Sequence, residues 1–215
     1  FYGDPTREMT VIGITGTNGK TTICYLLEAI LVHAGLSPAV LGTVNYRYRT
    51  TEFPAPHTTP EATDLLNRIA AFRDAGARSV VMEVSSHALD QYRADGVHYQ
   101  VGIFTNLTPE HLDYHLSMDR YFESKCRLFD ELLARDRGRA VINIDDDYGA
   151  QLAAQHPAAL TCGQSAAAAI RPGQLTATLD GIQGTIITPE GEVRVKSGLL
   201  GDYNIENLLC SIGAA

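Results

Sequence analysis

The sequence predicts an α/β fold: a mostly parallel sheet flanked by helices, opened by a P-loop, with a small antiparallel β portion near the C-terminus. Three observations predict it. Short apolar runs alternate with helical patterns of roughly 10–15 residues, the signature of parallel β/α units. Polar residues recur directly after the apolar runs, at Thr15, Glu83, Thr105 and Asn106. From Leu175 to Lys196 the period drops to two, with turn signals at Asp180-Gly181 and Glu190-Gly191, which reads as β-hairpins.

Taken in order, Met9 to Ile14 is an apolar run bounded by polar residues, expected as a buried parallel strand. A helical pattern follows from Lys20 to His33, with Leu26, Leu27, Ile30 and Leu31 on one face and Gly35 as its stop. Ala39 to Val44 reads as a second strand, and Tyr46 to Phe53, polar and aromatic, as an exposed hairpin or loop. Pro60 opens a helix from about Glu61 to Ala75, ended near Gly76. Ser79 to Glu83 and Val101 to Phe104 are strands, a helix runs from about Met118 to Ala134, and Ala140 to Asn143 is a further strand. The acid run Asp145-Asp146-Asp147 suits a helix N-terminus. Ala166 to Ala169 reads as a loop, and a helix covers Asn204 to Ile212. Ligands of open α/β sheets bind at the carboxyl ends of strands, so the polar residues that follow the strands mark one sheet edge as the site.

The chain has 215 residues, enough for one large domain, and hydrophobic and charged fractions of 45% and 20% are those of a globular protein. The net charge of -8 argues against general nucleic-acid binding but leaves room for a phosphate site built from backbone N–H groups and one lysine. The four cysteines, Cys24, Cys126, Cys162 and Cys210, form no C-x-x-C pair, so zinc and redox motifs are absent and buried or free thiols in a reducing compartment are expected. No apolar run approaches the roughly 20 residues of a membrane span. A cytoplasmic monomer that engages neither nucleic acid nor membrane is expected.

The strongest motif is Thr15-Gly16-Thr17-Asn18-Gly19-Lys20-Thr21-Thr22, set between a strand and a helix. Glycines let the backbone curl so that N–H groups face a phosphate, and the helix N-terminus adds positive potential. Lys20 is placed to reach the β and γ phosphates of ATP, and Thr21 to ligate magnesium. The strict pattern would put glycine at Ile14; Gly13 stands one place earlier, making this a variant loop. Glu83, at a strand end beside such a loop, is placed to bind Mg2+, a cation that prefers oxygen ligands. His111 and His115 stand four apart, but without the H-E-x-x-H pattern or a third ligand they point to phosphate or metal proximity rather than zinc. His33, His98 and His156 lack companions and read as surface or packing residues, and Lys125, by pattern alone, is an ordinary solvated lysine.

Gly16 to Thr22, Thr58-Thr59-Pro60, Glu83 to Leu89, Thr105 to Leu107 with His111 to His115, Tyr121 to Phe129, and Gly201 to Leu208 resemble, in this order and spacing, the central domain of Mur ligases, over essentially the whole chain. The segment from Glu83 to Arg93 most resembles the subfamily that adds diaminopimelate or lysine as the third peptide residue of UDP-MurNAc-L-Ala-D-Glu. The resemblance implies an ATP-dependent ligase that activates a carboxylate as an acyl phosphate and passes it to an amine. It implies that Gly16 to Thr22 hold the ATP phosphates, that Glu83 and His111 bind Mg2+, and that Lys125 is carbamylated and helps hold a second Mg2+. It implies substrate contacts at Thr58, Thr59, Ser85, Gln91 and Arg93, with His57 standing where asparagine is common, and base contacts at Asn204 and Asn207. Lys20, Lys125 and His111 would carry the catalytic roles. Residues 1–215 then read as one central, ATP-binding domain. The UDP-binding and amino-acid-binding domains are absent, so full ligase activity is not expected of this chain alone. A folylpolyglutamate synthetase-type ligase and a non-catalytic nucleotide-binding module are the competing readings.

Overall fold

The computed structural model describes residues 3–134 and 136–215. In chain order the elements are β1 (Thr10–Thr15), α1 (Lys20–His33), β2 (Pro38–Leu41), β3 (Asn45–Tyr48), β4 (Thr51–Pro54), α2 (Ala62–Asp74), β5 (Ser79–Glu83), α3 (Ser86–Asp90) and β6 (Val101–Phe104). There follow α4 (Leu112–His115), α5 (Met118–Arg127), β7 (Arg139–Asn143), α6 (Asp147–Gln155), β8 (Leu160–Cys162), β9 (Arg171–Thr178), β10 (Gly181–Thr188), β11 (Gly191–Ser197) and α7 (Tyr203–Ala214). One sheet has 8 strands in the order β4-β3-β2-β5-β1-β6-β7-β8, and a second has 3 in the order β11-β10-β9. From β2 to β8 the large sheet is parallel; β3 and β4 extend its edge as an antiparallel hairpin.

The strands are buried on both sides because their side chains alternate between two apolar layers. Val11, Val80, Met82 and Phe104 face a cluster built on Leu65, Ile69, Tyr99, Tyr121 and Leu128. Ile12, Ile14, Val81, Ile103 and Val141 face the other, built on Ile23, Leu27 and Leu31 of α1 and Leu208 and Leu209 of α7. Each such side chain, fully withdrawn from water, contributes about 1.5–3 kcal/mol. The buried stripe of α1 is Ile23, Cys24, Leu27 and Leu31, rotated toward the N-terminus from the expected face; Ile30 is only partly covered. The position of β1 is decisive for the site. It pairs with β5 on one side and β6 on the other, so the chain reverses its direction of winding there, where α/β sheets open a crevice.

Several boundaries differ from the sequence reading. β2 stops at Leu41 because Gly42 turns the chain, its N–H bonding Asn45 O at 3.3 Å. The hairpin from Tyr46 to Phe53 forms but is not exposed along β3: Tyr46, Arg47 and Tyr48 are buried. Arg47 tolerates burial because it donates to Glu28 at 2.5–3.1 Å and to Asn45 at 2.7 Å, and it lies over the Tyr25 ring. The long helix from Met118 breaks at Arg127 into a π-helical turn, Leu128–Leu132. The three-residue edge strand β8 carries too little pattern to be read from sequence. The acid run behaves as expected: Asp146 caps α6, accepting the N–H of Gly149 at 2.7 Å.

Candidate functional site

The loop joining β1 to α1 is held by the segment that follows β6. Thr17 N–H donates to Asn106 O (2.9 Å), Asn18 N–H to Asn106 Oδ1 (2.9 Å), and Thr105 Oγ1 to Asn18 O (2.6 Å). Thr17 Oγ1 accepts from Thr108 N–H (3.0 Å) and shares a hydrogen bond with Tyr121 Oη (3.1 Å). Two glycines make this packing possible. Gly16 has φ +140°, and a Cβ there would fall 1.9 Å from Thr105 Oγ1. Gly19, the N-cap of α1, has φ +89°, and a Cβ there would fall 2.2 Å from Asn207 Oδ1. Gly13 is not a displaced loop glycine: it lies inside β1, where a Cβ would sit 2.6 Å from the buried Tyr99 ring. Ile14 beside it is a core residue, which is why the loop departs from the strict pattern.

Lys20 leaves the first turn of α1 and folds back over the loop, donating to Gly16 O at 2.9 Å and Thr17 O at 2.7 Å. Burial lowers its pKa, with Glu83 and Glu110 opposing. Glu83, at the carboxyl end of β5, is 1% exposed and is held from the first turn of α1 and from the turn after β2: Thr21 Oγ1 and Thr43 N–H donate to Oε1 (3.0 and 2.9 Å), and Thr43 Oγ1 to Oε2 (3.1 Å). Gly42 admits this carboxylate, since a Cβ there would meet Oε1 at 2.5 Å. Thr43 was not foreseen. Its signal was available, a polar residue at a strand end, but an over-long β2 concealed it.

Lys20, Thr21, Glu83, Thr43, Thr58 and His111 line a cavity of about 290 Å³, together with Thr17 to Gly19, Thr22, Ser85 and Glu110. His111 reaches it from a left-handed backbone conformation, φ +57°, just ahead of α4. His111 and His115 therefore do not share a helix face. His115 is buried, bonded through Nε2 to Ser86 Oγ (2.9 Å) and through Nδ1 to Ser124 Oγ (3.4 Å). Lys125 is no solvated lysine. It is 1% exposed, donates to Gly16 O from beneath the loop at 2.9 Å, and lies 4.4 Å from the Tyr121 ring centroid. Burial, reinforced by the nearby charge of Lys20, holds its amine well below the usual lysine range. Thr15 Oγ1, buried in the same stretch, has no hydrogen-bond partner among the described residues.

The remaining expected residues divide into four places. Thr58 and Ser85 line the 290 Å³ cavity, Thr58 sharing a 3.1 Å hydrogen bond with Thr43 and Ser85 capping α3. Thr59 is buried behind it, donating to Glu83 O (2.9 Å) and accepting from Ser85 N–H (3.1 Å), while Arg93 donates to Thr59 O (2.9 Å). Gln91 is exposed and donates to Tyr114 Oη at 3.1 Å. His57 lies apart, in a separate cavity with Pro54, Pro56, Pro60 and Arg68. Asn207 lines a second cavity of about 580 Å³ that shares Asn18, Gly19 and Thr22 with the first and is walled by Asn106, Asn143, Asp145, Tyr203 and Glu206. Asn204 does not line it; buried, it donates to Leu200 O (2.8 Å) and accepts from Asn207 Nδ2 (2.8 Å), fixing its neighbour. Two adjoining cavities over a helix N-terminus, one rich in hydroxyls with Lys20 facing Glu83 and Glu110, and one larger, suit a nucleotide's phosphates and nucleoside.

Residues 14–215 match the family model described as Mur ligase middle domain. A UDP-N-acetylmuramoyl-L-alanyl-D-glutamate–2,6-diaminopimelate ligase of Geobacter metallireducens is 53% identical over 219 residues, and the corresponding protein of Geobacter sulfurreducens is 51% identical; each match covers 100% of this chain and 43% of the relative. A solved structure of a ligase of that name superposes with a TM-score of 0.85 at 33% identity, over 95% of this chain and 42% of the other. The chain thus spans less than half the length of the curated relatives it matches. With its loop, its strand order and a match running from β1 to the end of α7, the chain belongs to the Mur ligase family, in the part described as the middle domain.

Proposed function

We propose that this chain supplies the ATP and Mg2+ site of a ligase that adds the third residue, diaminopimelate or lysine, to UDP-MurNAc-L-Ala-D-Glu, activating the D-Glu carboxylate as an acyl phosphate. The relatives at 51–53% identity carry the name of the diaminopimelate-adding ligase, which favours diaminopimelate. The observation that carries the proposal is the convergence of Lys20, Thr21, Glu83 and His111 on one cavity at the N-terminus of α1. We take residues 1–215 as one central domain. Because the relatives are more than twice as long, the uridine-nucleotide and amino-acid sites are assigned to the remainder of the full ligase.

The residues present fit the groups implied. Gly16 and Gly19 leave the loop no side chain on faces where a Cβ would collide with Thr105 or Asn207, and the α1 N-terminus presents free N–H groups to an anion. Lys20 would exchange its two carbonyl contacts for phosphate oxygens, and Asn207 would face the nucleoside. Thr21, Glu83 and His111 would hold Mg2+, which supplies neutralisation of the charge that gathers on transferring phosphoryl oxygens. Lys125 is suited to carbamylation because burial and the charge of Lys20 disfavour its protonated form: the Nζ lone pair would attack carbon dioxide, an amine proton would leave, and an anionic oxygen pair would result. The Thr15 hydroxyl, without a partner among the described residues, lies in the same buried stretch. Thr58, Thr59, Ser85, Gln91, Arg93 and His57 would face the muramoyl-peptide, with Thr59 and Arg93 acting through the backbone they brace.

The test is calorimetric titration of magnesium–ATP into the chain and into Lys20→Ala, followed by phosphate release from the full-length ligase with UDP-MurNAc-dipeptide and either diaminopimelate or lysine. Magnesium-dependent binding that is lost in the variant, and release that needs the muramoyl-dipeptide, are expected. Release driven instead by a folate acceptor would overturn the assignment.

A further inference from the structure

We propose that Cys162 and Cys210 form a disulfide under oxidation by a peroxide, fastening α7 to the edge strand β8 beside the nucleoside-side cavity. The two sulfurs lie 3.3 Å apart, and their residues are 0% and 1% exposed. A disulfide needs about 2.05 Å, so the sulfurs must close by roughly 1.2 Å, a displacement within reach of small side-chain rotations. The pairing is specific. Cys126 lies in the opposite apolar layer, and Cys24 is on α1, with no sulfur contact to either partner.

The position gives the bond its consequence. Cys210 stands one helical turn after Asn207 and Glu206, which line the 580 Å³ cavity. Cys162 ends β8, pairs with Asn143 of β7, and accepts Ile144 N–H through its carbonyl at 2.9 Å. Asn143 in turn donates to Glu206 at 3.4 Å. The bond would thus join α7, which lines that cavity, to the strand paired with β7, whose Asn143 also lines it. Its chemistry balances without a further reagent. One thiol loses its proton and its sulfur attacks a peroxide oxygen; the O–O bond breaks, the hydroxide that leaves takes up that proton as water, and a sulfenic acid results. The second thiol attacks that sulfur and expels a second water, so two thiols are oxidised as one hydrogen peroxide is reduced. The hydrogen bond with Cys210, and then burial, push the Cys162 thiol well above the usual thiol range. Reaction is therefore slow, gated by local opening, and restricted to an oxidant close to water in size.

The experiment is peptide mapping of the folded chain before and after hydrogen peroxide, with alkylation and digestion under non-reducing conditions. A peptide pair linked through Cys162 and Cys210, two mass units lighter than its reduced parts, is expected, with Cys24 and Cys126 alkylated. Dithiothreitol should reverse it. Amides of α7 should exchange more slowly in the oxidised chain. The bond closes a loop of about 50 residues, so the melting temperature should rise by about 8–16 °C, and Cys210→Ala should show neither change. Full alkylation of Cys162 and Cys210 after peroxide, a linkage through Cys24 or Cys126, or unchanged α7 exchange in the linked form would overturn the proposal.

Discussion

Replacing Gly19 with alanine tests the loop at the point where backbone and site depend on each other. Two costs follow from the structure. At φ +89° a Cβ incurs left-handed strain of about 1–2 kcal/mol. The same Cβ would overlap Asn207 Oδ1, 2.2 Å away, and pushing that side chain aside breaks its 2.8 Å hydrogen bond to Asn204, about 1 kcal/mol more. The sum, about 2–3 kcal/mol, corresponds to a fall in melting temperature of about 4–12 °C for a chain of this size. Thermal melts of Gly19→Ala, Asn207→Ala and the double variant separate the terms. The overlap exists only when both side chains are present, so the double variant should be less destabilised than the sum of the singles by about 1 kcal/mol. A Gly19→Ala chain that melts within about 1 °C of wild type, or strictly additive costs, would refute the reasoning. Either result would mean that the loop does not rest on α7.

Other outcomes follow from the same geometry. Glu83→Gln should fold, since one amide oxygen can still accept from Thr43 N–H, but magnesium-dependent ATP binding should weaken at least tenfold, about 1.4 kcal/mol; unchanged magnesium dependence in calorimetry would remove Glu83 from the metal site. For Lys125 the sign is set by a native amine pKa below its unfolded value. As pH falls from about 10 toward 7 the unfolded chain takes up the proton first, so stability is lost across that window. In buffers stripped of carbon dioxide, Lys125→Met should flatten the loss in urea midpoint; parallel curves for the two proteins would contradict a native amine pKa below its unfolded value. Gly13→Ala should cost about 1–3 kcal/mol of stability by driving a methyl into the Tyr99 ring, with magnesium–ATP affinity in the surviving folded chain unchanged; selective loss of affinity without destabilisation would return Gly13 to the loop.

The order of strands and helices was legible because two periods, two and about 3.6, alternate cleanly along the chain. The phosphate loop was legible because its glycines, lysine and threonines are contiguous and sit between a strand and a helix. Glu83 was legible as an acid at the end of an apolar strand. These are local signals, and local sequence determines them. What the tertiary structure alone decided involves residues far apart in the chain. Only packing places Lys125, carried on α5, beneath Gly16, more than 100 residues away in sequence, and converts a lysine that patterns as solvated into a buried amine. The family resemblance flagged Lys125, but the cause of its low pKa is desolvation, which periodicity does not encode. Only packing shows that Gly13 makes room for Tyr99 rather than for phosphate, and that Thr43 is a second anchor for Glu83. The proximity of Cys162 to Cys210 belongs with these, because spacing along a chain carries no distance in space once a strand and a helix fold against each other.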